Sequence, residues 1–147
     1  MAFKASTSIA AKGYVEAKVL ASSLKNLSQN INNQMAVGNV SGNLIIEYFS
    51  QLIYNKNRFT GISQIPKIAD YAKTQEDDAT YDVIAEFNNM LVVINETIDW
   101  IVANFPSVGG YIKKDIIDST GLTVRQFTPV ETAGLRIKIT NIINAIS

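Results

Sequence analysis

Two carboxylates in one apolar stretch of the chain are spaced for acid–base chemistry. Glu96 and Asp99 lie three residues apart, so a helix would carry both on the same face. Glycosidases use two carboxyl groups about 5–9 Å apart, although they usually bring them into a cleft from different elements. No aromatic cluster that could stack a sugar lies beside this pair in the sequence. We therefore favour an edge that faces solvent or a neighbouring subunit over an active site.

A second group of acids, Glu76, Asp77 and Asp78, lies in the run from Thr74 to Thr80. One interpretation is a divalent-cation site, but the run lacks the glycine and the spaced ligands of a calcium loop. The other interpretation is negative charge ahead of a helix N-terminus, which is stabilising through the helix dipole. The second interpretation is favoured, and no metal site is predicted.

The residue types on which most enzymes depend are missing. The chain has no histidine and no cysteine, which removes the commonest general base and excludes thiolate nucleophiles, disulfides and thiolate metal ligands. The pair Gly109-Gly110 lacks the lysine and the spaced glycines of a phosphate loop. We therefore expect no enzymatic activity, no cofactor and no small-molecule substrate.

The charge balance argues against nucleic acid and membrane partners. The 13 basic residues are matched by 13 acidic ones, and the sequence shows no basic patch. A single-strand nucleic-acid platform would interleave aromatic and basic residues, but packing in the core is favoured for the aromatic residues that lie near Lys56 and Arg58. They are Tyr48, Phe49, Tyr54 and Phe59.

The chain is predicted to be soluble, made in a cytoplasm and not exported by a signal of its own. No apolar run for a secretory signal follows Met1, and the most apolar window, Met90 to Phe105, carries Glu96 and Asp99 and is short for a bilayer. Charged residues make up 18% of the chain, against a usual ~25%. Such a weakly charged surface is poorly protected against association, so we expect it to bury area against protein partners.

Helices are the elements that would position these residues, and a central one is predicted from Tyr81 to Asn104, ended by Pro106. Its large apolar residues recur at steps of three and four, the pattern of one helical face. They are Ile84, Phe87, Leu91, Ile94, Ile98, Ile101 and Phe105. At about 1.5 Å per residue the helix would cross a small domain, so it can serve as the post of a bundle.

Two helices are predicted before it, from Ser8 to Gln34 and from Asn43 to Phe59, with Ser41 as an N-cap and Gly61 as a stop. The stripe of the first is Leu20, Leu24, Leu27, Ile31 and Met35. The second has a broad apolar face of Leu44, Ile45, Tyr48, Phe49, Leu52 and Ile53. Pro66 suits a first helical turn, so a short helix is predicted over Pro66 to Lys73.

The last helix has the clearest start in the chain. Thr128 and Glu131 have the spacing of a capping box, and Pro129 occupies the first helical position. The stripe is Leu135, Ile139, Ile142 and Ile146, widened by Ile137 and Ile143.

Two β-prone runs, Tyr111 to Ile117 and Leu122 to Phe127, flank Asp118 to Gly121 and predict a two-stranded hairpin. The predicted fold is mainly α: a helical bundle of four longer helices plus one short helix, with this β-hairpin before the C-terminal helix. Residues 1–147 would form a single domain, with 1–7 as an N-terminal arm and 107–127 as the hairpin insertion.

Residues 60 to 147 are similar to small virion structural proteins of tailed bacteriophages. Three segments carry the resemblance: Tyr81 to Asn88 running on to Ile98 to Pro106; Gly110-Tyr111; and Phe127-Thr128-Pro129 with Thr132-Ala133-Gly134-Leu135-Arg136. The resemblance implies a component of the virion, made in the host bacterial cytoplasm, and no active site.

The leading hypothesis is a non-enzymatic virion structural protein that assembles in multiple copies, in the neck, the head–tail region or on the capsid surface. Its partners would be other copies of itself and other virion proteins. Candidate interface residues are Tyr48, Tyr54, Trp100, Tyr111, Ile112 and Phe127. The alternatives are a cytoplasmic helical adaptor that binds a phage or host protein through the second helix, and an enzyme that uses Glu96 and Asp99.

Overall fold

The computed structural model describes residues 8–38, 42–105, 107–108, 111–112 and 128–146. The helices of this part of the chain are α1 (Ile9–Ala36), α2 (Gly42–Ser63), α3 (Ile68–Glu76), α4 (Val83–Asn104) and α5 (Pro129–Ala145). Two short strands, β1 (Ser107–Val108) and β2 (Tyr111–Ile112), lie between α4 and α5. The architecture is a helical bundle, as the apolar periodicity predicts.

The four long helices form an up-and-down bundle in the order α1, α2, α4, α5, with α5 packed back against α1. Helices α1 and α2 are antiparallel, because Glu16 pairs with Arg58 at one end while Ser28 bonds to Tyr48 further along. Helix α3 packs against α1 and α4 at the end where α2 stops and α4 begins.

The other neighbouring pairs are antiparallel as well. The ring of Phe59, late in α2, lies 5.9 Å from that of Phe87, early in α4. Trp100, late in α4, contacts the backbone of Gly134, early in α5. Asn32, late in α1, accepts a hydrogen bond from Arg136, early in α5. Consecutive long helices thus alternate in direction, as in other up-and-down bundles.

Buried positions alternate by three and four residues along the long helices, which is the spacing of coiled-coil packing. In α2 they are Ile45, Tyr48, Leu52, Asn55, Phe59 and Ile62. In α4 they are Val83, Phe87, Met90, Ile94, Thr97, Ile98 and Ile101. In α5 they are Leu135, Ile139 and Ile142, followed by Ile146 just after the helix.

Three buried positions in the long helices carry polar side chains: Ser28, Asn55 and Thr97. The hydroxyls of Ser28 and Tyr48 bond to each other at 2.7 Å in the interior. Thr97 donates to the carbonyl of Val93 within its own helix, at 2.8 Å. The amide of Asn55 donates to its own helix, but its Oδ1 has no partner among the described residues. Polar core groups of this kind restrict how helices can slide past one another.

The N-terminal half of α1 differs from the predicted stripe. Leu24, Ile31 and Met35 are buried as predicted, whereas Leu20 and Leu27 are half-buried. Small or polar-tipped residues take the buried positions instead, and they are Ala10, Ala11, Gly13, Tyr14, Ala17 and Ser28. The close approach that these residues allow brings α2 and α3 against α1.

Three predicted helix boundaries are wrong. Helix α3 ends at Glu76, three residues after the predicted Lys73. Helix α2 continues through Gly61 to Ser63, because Ile62 is buried and holds the last turn in the core. Helix α3 begins at Ile68 rather than Pro66, since Lys67 adopts a left-handed φ of 66°. The predicted N-cap Ser41 lies outside the described residues.

The starts of α4 and α5 agree with their cap chemistry. Asp82 precedes α4, and its carboxylate accepts from the amide of Ala85 at 3.0 Å. The capping box of α5 is confirmed: Thr128 Oγ1 accepts from the amide of Glu131, whose carboxylate accepts from the amide of Thr128. In α4, Ile84 and Leu91 are only half-buried, because Met90 and Thr97 take the inner positions.

The predicted hairpin of 111–117 with 122–127 is wrong. Strand β2 pairs antiparallel with β1, which precedes it, and places Ser107 opposite Ile112 and Val108 opposite Tyr111. Only Gly109 and Gly110 separate the two strands in the sequence, and such pairs suit two-residue connections. Residues 111–112 would be at the open end of the predicted hairpin, far along the chain from their partner, whereas β1 lies only two residues away, and closing the shorter segment costs less entropy. The rest of the predicted hairpin, 113–127, and the predicted arm, 1–7, lie outside the described residues.

Candidate functional site

Helix α5 is apolar on two opposite faces. Its inner face carries Leu135, Ile139 and Ile142, all fully buried. On the opposite side Val130 is 82% exposed and Ile137 is 62% exposed, more than any other described side chains of their size except Ile9 and Val37. Exposed aliphatic side chains that lie together on one helix face can mark a site of contact with another protein. The outward face of α5 is therefore the first candidate for contact with a partner.

We call this face the outer stripe, and its residues are Val130, Ala133, Ile137, Thr140 and Asn144. None of the five carries a charge. The hydroxyl of Thr140 already donates to the carbonyl of Arg136 at 2.8 Å, so its methyl group is what remains for a partner. Depletion of charge with exposed aliphatic side chains is the composition of an interface core.

A groove of about 360 Å³ runs along the outer stripe. Its walls are Ala133, Arg136, Ile137, Thr140 and Asn141, all from α5 itself. Arg136 Nε donates to Asn32 of α1 at 2.8 Å, which fixes one edge of the groove. The groove is open at Ala133 because the side chain there is small, and Ile137 lies beside this opening.

The acid pair that the sequence suggested, Glu96 and Asp99, lies on the outer surface of α4. Both side chains are exposed, and they lie near the exposed Val92 and Val102 on the same helix. An open surface does not exclude water, so it does not enclose a substrate beside the carboxylate pair. The arrangement fits a contact surface better than a catalytic cleft.

Another cleft lies between α1 and α4 beside the end of α5, with a volume of about 350 Å³. Tyr14, Lys18 and Glu76 form a network on its rim, in which the Glu76 carboxylate accepts from the Tyr14 hydroxyl and, at 2.5 Å, from the Lys18 ammonium. The same ammonium lies 5.1 Å from the centre of the Tyr14 ring.

The electrostatics of this network are those of a closed ion pair. Hydrogen bonds from Lys18 and then Tyr14 hold the pKa of Glu76 below its ordinary value. The hydrogen bond to Glu76 raises the pKa of Lys18, while burial is the main cause that raises the pKa of Tyr14. Because these charges neutralise each other, the network ties the end of α3 to α1 and offers little to a ligand.

The acidic run before α4 is used within the chain as well. Asp77 ends α3 in a left-handed conformation, and Asp78 accepts from the amide of Thr80 at 2.9 Å and from its hydroxyl at 2.6 Å. Among the described residues, no group of three or more acidic or other metal-ligating side chains is arranged to hold a metal ion. The run therefore forms the turn between α3 and α4.

An ion pair that the sequence analysis missed joins α1 to α2. Arg58 Nε donates to one oxygen of Glu16 at 2.7 Å, and its terminal nitrogen donates to the other at 2.5 Å. These hydrogen bonds lower the pKa of Glu16. The two residues are 42 positions apart, so no local spacing rule could have paired them.

The predicted interface residues fall in different places. Tyr48 is 1% exposed and lies in the core, whereas Tyr54 is 51% exposed on α2. Trp100 is half-buried, packs on the core and contacts Gly134. Tyr111 and Ile112 form β2, and Phe127 lies outside the described residues. The structure thus does not gather the six into one surface within its described part, and the outer stripe contains none of them.

Comparison with known proteins assigns no family. No protein-family model, curated protein or solved structure matches this chain. Among the described helices, none combines the length and apolarity needed to cross a membrane. Function must therefore be argued from the surfaces above, with the resemblance to phage virion proteins as a prediction.

Proposed function

We propose that this protein is a non-enzymatic structural component of a tailed-bacteriophage virion and that it assembles in several copies. The observation that carries the assembly role is the outer stripe of α5, where Val130 and Ile137 are largely exposed on a face without charge. Leaving such side chains in water is unfavourable by about 25 cal/mol per Å² of apolar surface, so contact with a partner is stabilising. The location in a virion depends on the sequence resemblance of the C-terminal half.

The rest of the described surface supports a binding role rather than catalysis. The Lys18–Glu76 pair closes the rim of the cleft between α1 and α4, and the acids of α4 lie on the open surface. The interior, in contrast, is closely packed and has hydrogen-bonded polar groups between helices. A rigid bundle with an apolar outer helix is suited to hold neighbouring molecules at fixed positions.

The adaptor alternative loses the surface on which it was based. The broad apolar face of α2 points into the bundle, where Ile45, Tyr48 and Leu52 are each no more than 1% exposed. An adaptor would need a different surface, and the outer stripe would then contact an unrelated protein.

Quantitative mass spectrometry of purified particles from the encoding phage tests the proposal. We expect the chain in the particles at a fixed ratio to the major capsid protein, and we expect it to stay there after high-salt washing. Its absence from particles, together with a stoichiometric complex with another protein in the host lysate, would contradict the proposal and favour the adaptor.

A further inference from the structure

We infer that the outer stripe of α5 binds the outer stripe of a second copy of this chain, with the two helices parallel. This inference rests on the proposed assembly of several copies and names the partner of one face. It is argued below from spacing, shape and charge on α5 alone.

The spacing of the outer stripe is that of a coiled-coil seam. Val130, Ala133, Ile137, Thr140 and Asn144 are separated by steps of three, four, three and four. In heptad terms Val130, Ile137 and Asn144 occupy a positions, and Ala133 and Thr140 occupy d positions. Helix α5 thus carries two seams, one in the core of its own bundle and one that faces outward.

The shape of the groove matches its own neighbouring side chain. Four of its walls, Ala133, Arg136, Ile137 and Thr140, are related as i, i+3, i+4 and i+7. This is the four-residue hole that receives an a-position knob from a parallel partner helix, and the knob at the same level is Ile137 of the second copy. A surface that contains both the knob and the matching hole is self-complementary, as a two-fold contact between identical subunits requires.

Charge is compatible with the parallel orientation that the groove indicates. Arg136 lies at the g position beside the seam, and a parallel partner brings the uncharged Asn141 at its e position opposite. In an antiparallel pair that sets Ile137 opposite Ala133 of the partner, Arg136 would lie near its own copy, which is unfavourable. The a positions carry the β-branched Val130 and Ile137, as in two-stranded coiled coils, while the d positions carry Ala133 and Thr140 in place of the usual leucine. An asparagine at a, such as Asn144, specifies the register.

The seam is short, since α5 has 17 residues. We therefore expect a dimer that forms in a concentration-dependent way and that other virion contacts reinforce, rather than an obligate dimer. The two bundles would lie side by side, with their α5 helices at the centre.

Cysteine cross-linking tests both the partner and the orientation, because the natural chain has no cysteine and a single introduced one is unique. In a parallel seam each a position faces its own copy. V130C and I137C should therefore each give a covalent dimer on mild oxidation. The control V92C places a cysteine at a valine of α4 that is 55% exposed, and it should stay monomeric. A dimer of I137C without one of V130C would overturn the parallel orientation, and equal dimer formation by all three would overturn the seam.

Sedimentation of charge variants tests the same inference without covalent chemistry. I137E should raise the dissociation constant by at least about tenfold, because it puts two like charges in the seam. V92E, with the same charge on α4, should leave the dimer unchanged, and circular dichroism should show that both variants fold. No dimer of the natural chain at any concentration, or no effect of I137E, would overturn the inference. Neither result bears on whether particles contain the protein, so the proposed function can stand or fail separately.

Discussion

Gly134 of α5 lies so close to Trp100 of α4 that a Cβ at residue 134 would be 3.0 Å from Cζ2 and 3.2 Å from Nε1 of the indole. The missing side chain is what lets the half-buried indole lie between the two helices. This contact fixes both the distance between α4 and α5 and the face that α5 turns towards α4.

A larger side chain at this position should separate the helices. We expect G134V to lower the free energy of unfolding by about 1–3 kcal/mol, because the side chain overlaps the indole. Urea denaturation measures this. The control is G61V, since an added Cβ at Gly61 of α2 has no atom within 4 Å. In a W100A background the cost of G134V should shrink; equal costs with and without Trp100 would contradict the contact.

Removing the capping hydroxyl of α5 should destabilise the whole bundle, because this helix supplies Leu135, Ile139 and Ile142 to the core. T128A leaves the amide of Glu131 without its side-chain acceptor, at a cost of about 1 kcal/mol. The matched control is T60A, an exposed position inside α2 whose hydroxyl donates only to its own helix. Thermal unfolding should show a clear loss for T128A and little change for T60A; similar losses would argue against the cap.

Alkaline pH should destabilise the protein through Tyr48. Burial raises the pKa of the Tyr48 phenol above its ordinary 10.0. The unfolded chain therefore releases this proton at a pH where the folded chain keeps it. The contribution of the buried phenol to the free energy of unfolding is complete below pH 10. It falls as the pH rises above 10, by at most about 1.4 kcal/mol per pH unit.

Unfolding measured from neutral pH to pH 11 checks the role of Tyr48. Y48F should be less stable at neutral pH, because Ser28 loses its partner, but it should lose less stability on going to alkaline pH. S28A keeps the buried phenol and should keep the alkaline loss. The pKa values of Tyr14 and Tyr81 are also raised, so the difference between the natural chain and Y48F is the informative quantity.

Acid pH should weaken the tie between α3 and α1. The pKa of Glu76 is lowered from 4.5 by hydrogen bonds from Lys18 and Tyr14, so its contribution is present above that pH and lost as the pH falls through the folded value. E76Q should lose less stability on acidification than the natural chain, and added salt should narrow the difference between them. The control E96Q changes an exposed acid of α4 without an ion pair among the described residues, and it should reproduce neither effect.

Local chemistry explains which parts of the fold were predictable. The start of α5 follows from two hydrogen bonds between Thr128 and Glu131. The types and the three-residue spacing of these residues can be read in the sequence. The buried face of α1 was predicted only in part. Ala10, Ala17 and Ser28 are small, and a prediction from the spacing of large apolar residues does not include them. The end of α2 was missed because burial of Ile62 outweighs the helix-breaking tendency of Gly61.

The candidate site was hidden for a related reason. Ile137 was assigned to a widened inner face, whereas it points outward. A helix with apolar residues on both sides gives no single periodic face, so the sequence alone does not say which side meets the core. The alternation of three and four from Val130 to Asn144 was nevertheless present, and reading both sides of α5 would have found it.

Because α5 has apolar residues on two opposite faces, it could pack against the rest of the bundle in either of two orientations during folding. If α5 turned by half a revolution about its axis, the outer stripe would enter the core, burying Thr140 and Asn144 and leaving Leu135, Ile139 and Ile142 in water. Size and fit decide against this state: only the native setting places Gly134 against Trp100 and Arg136 beside Asn32. The small residues of the outer stripe thus keep the energy of the inverted packing high. Enlarging them, as in A133L, would narrow that gap and give the helix a competing state in which to be trapped.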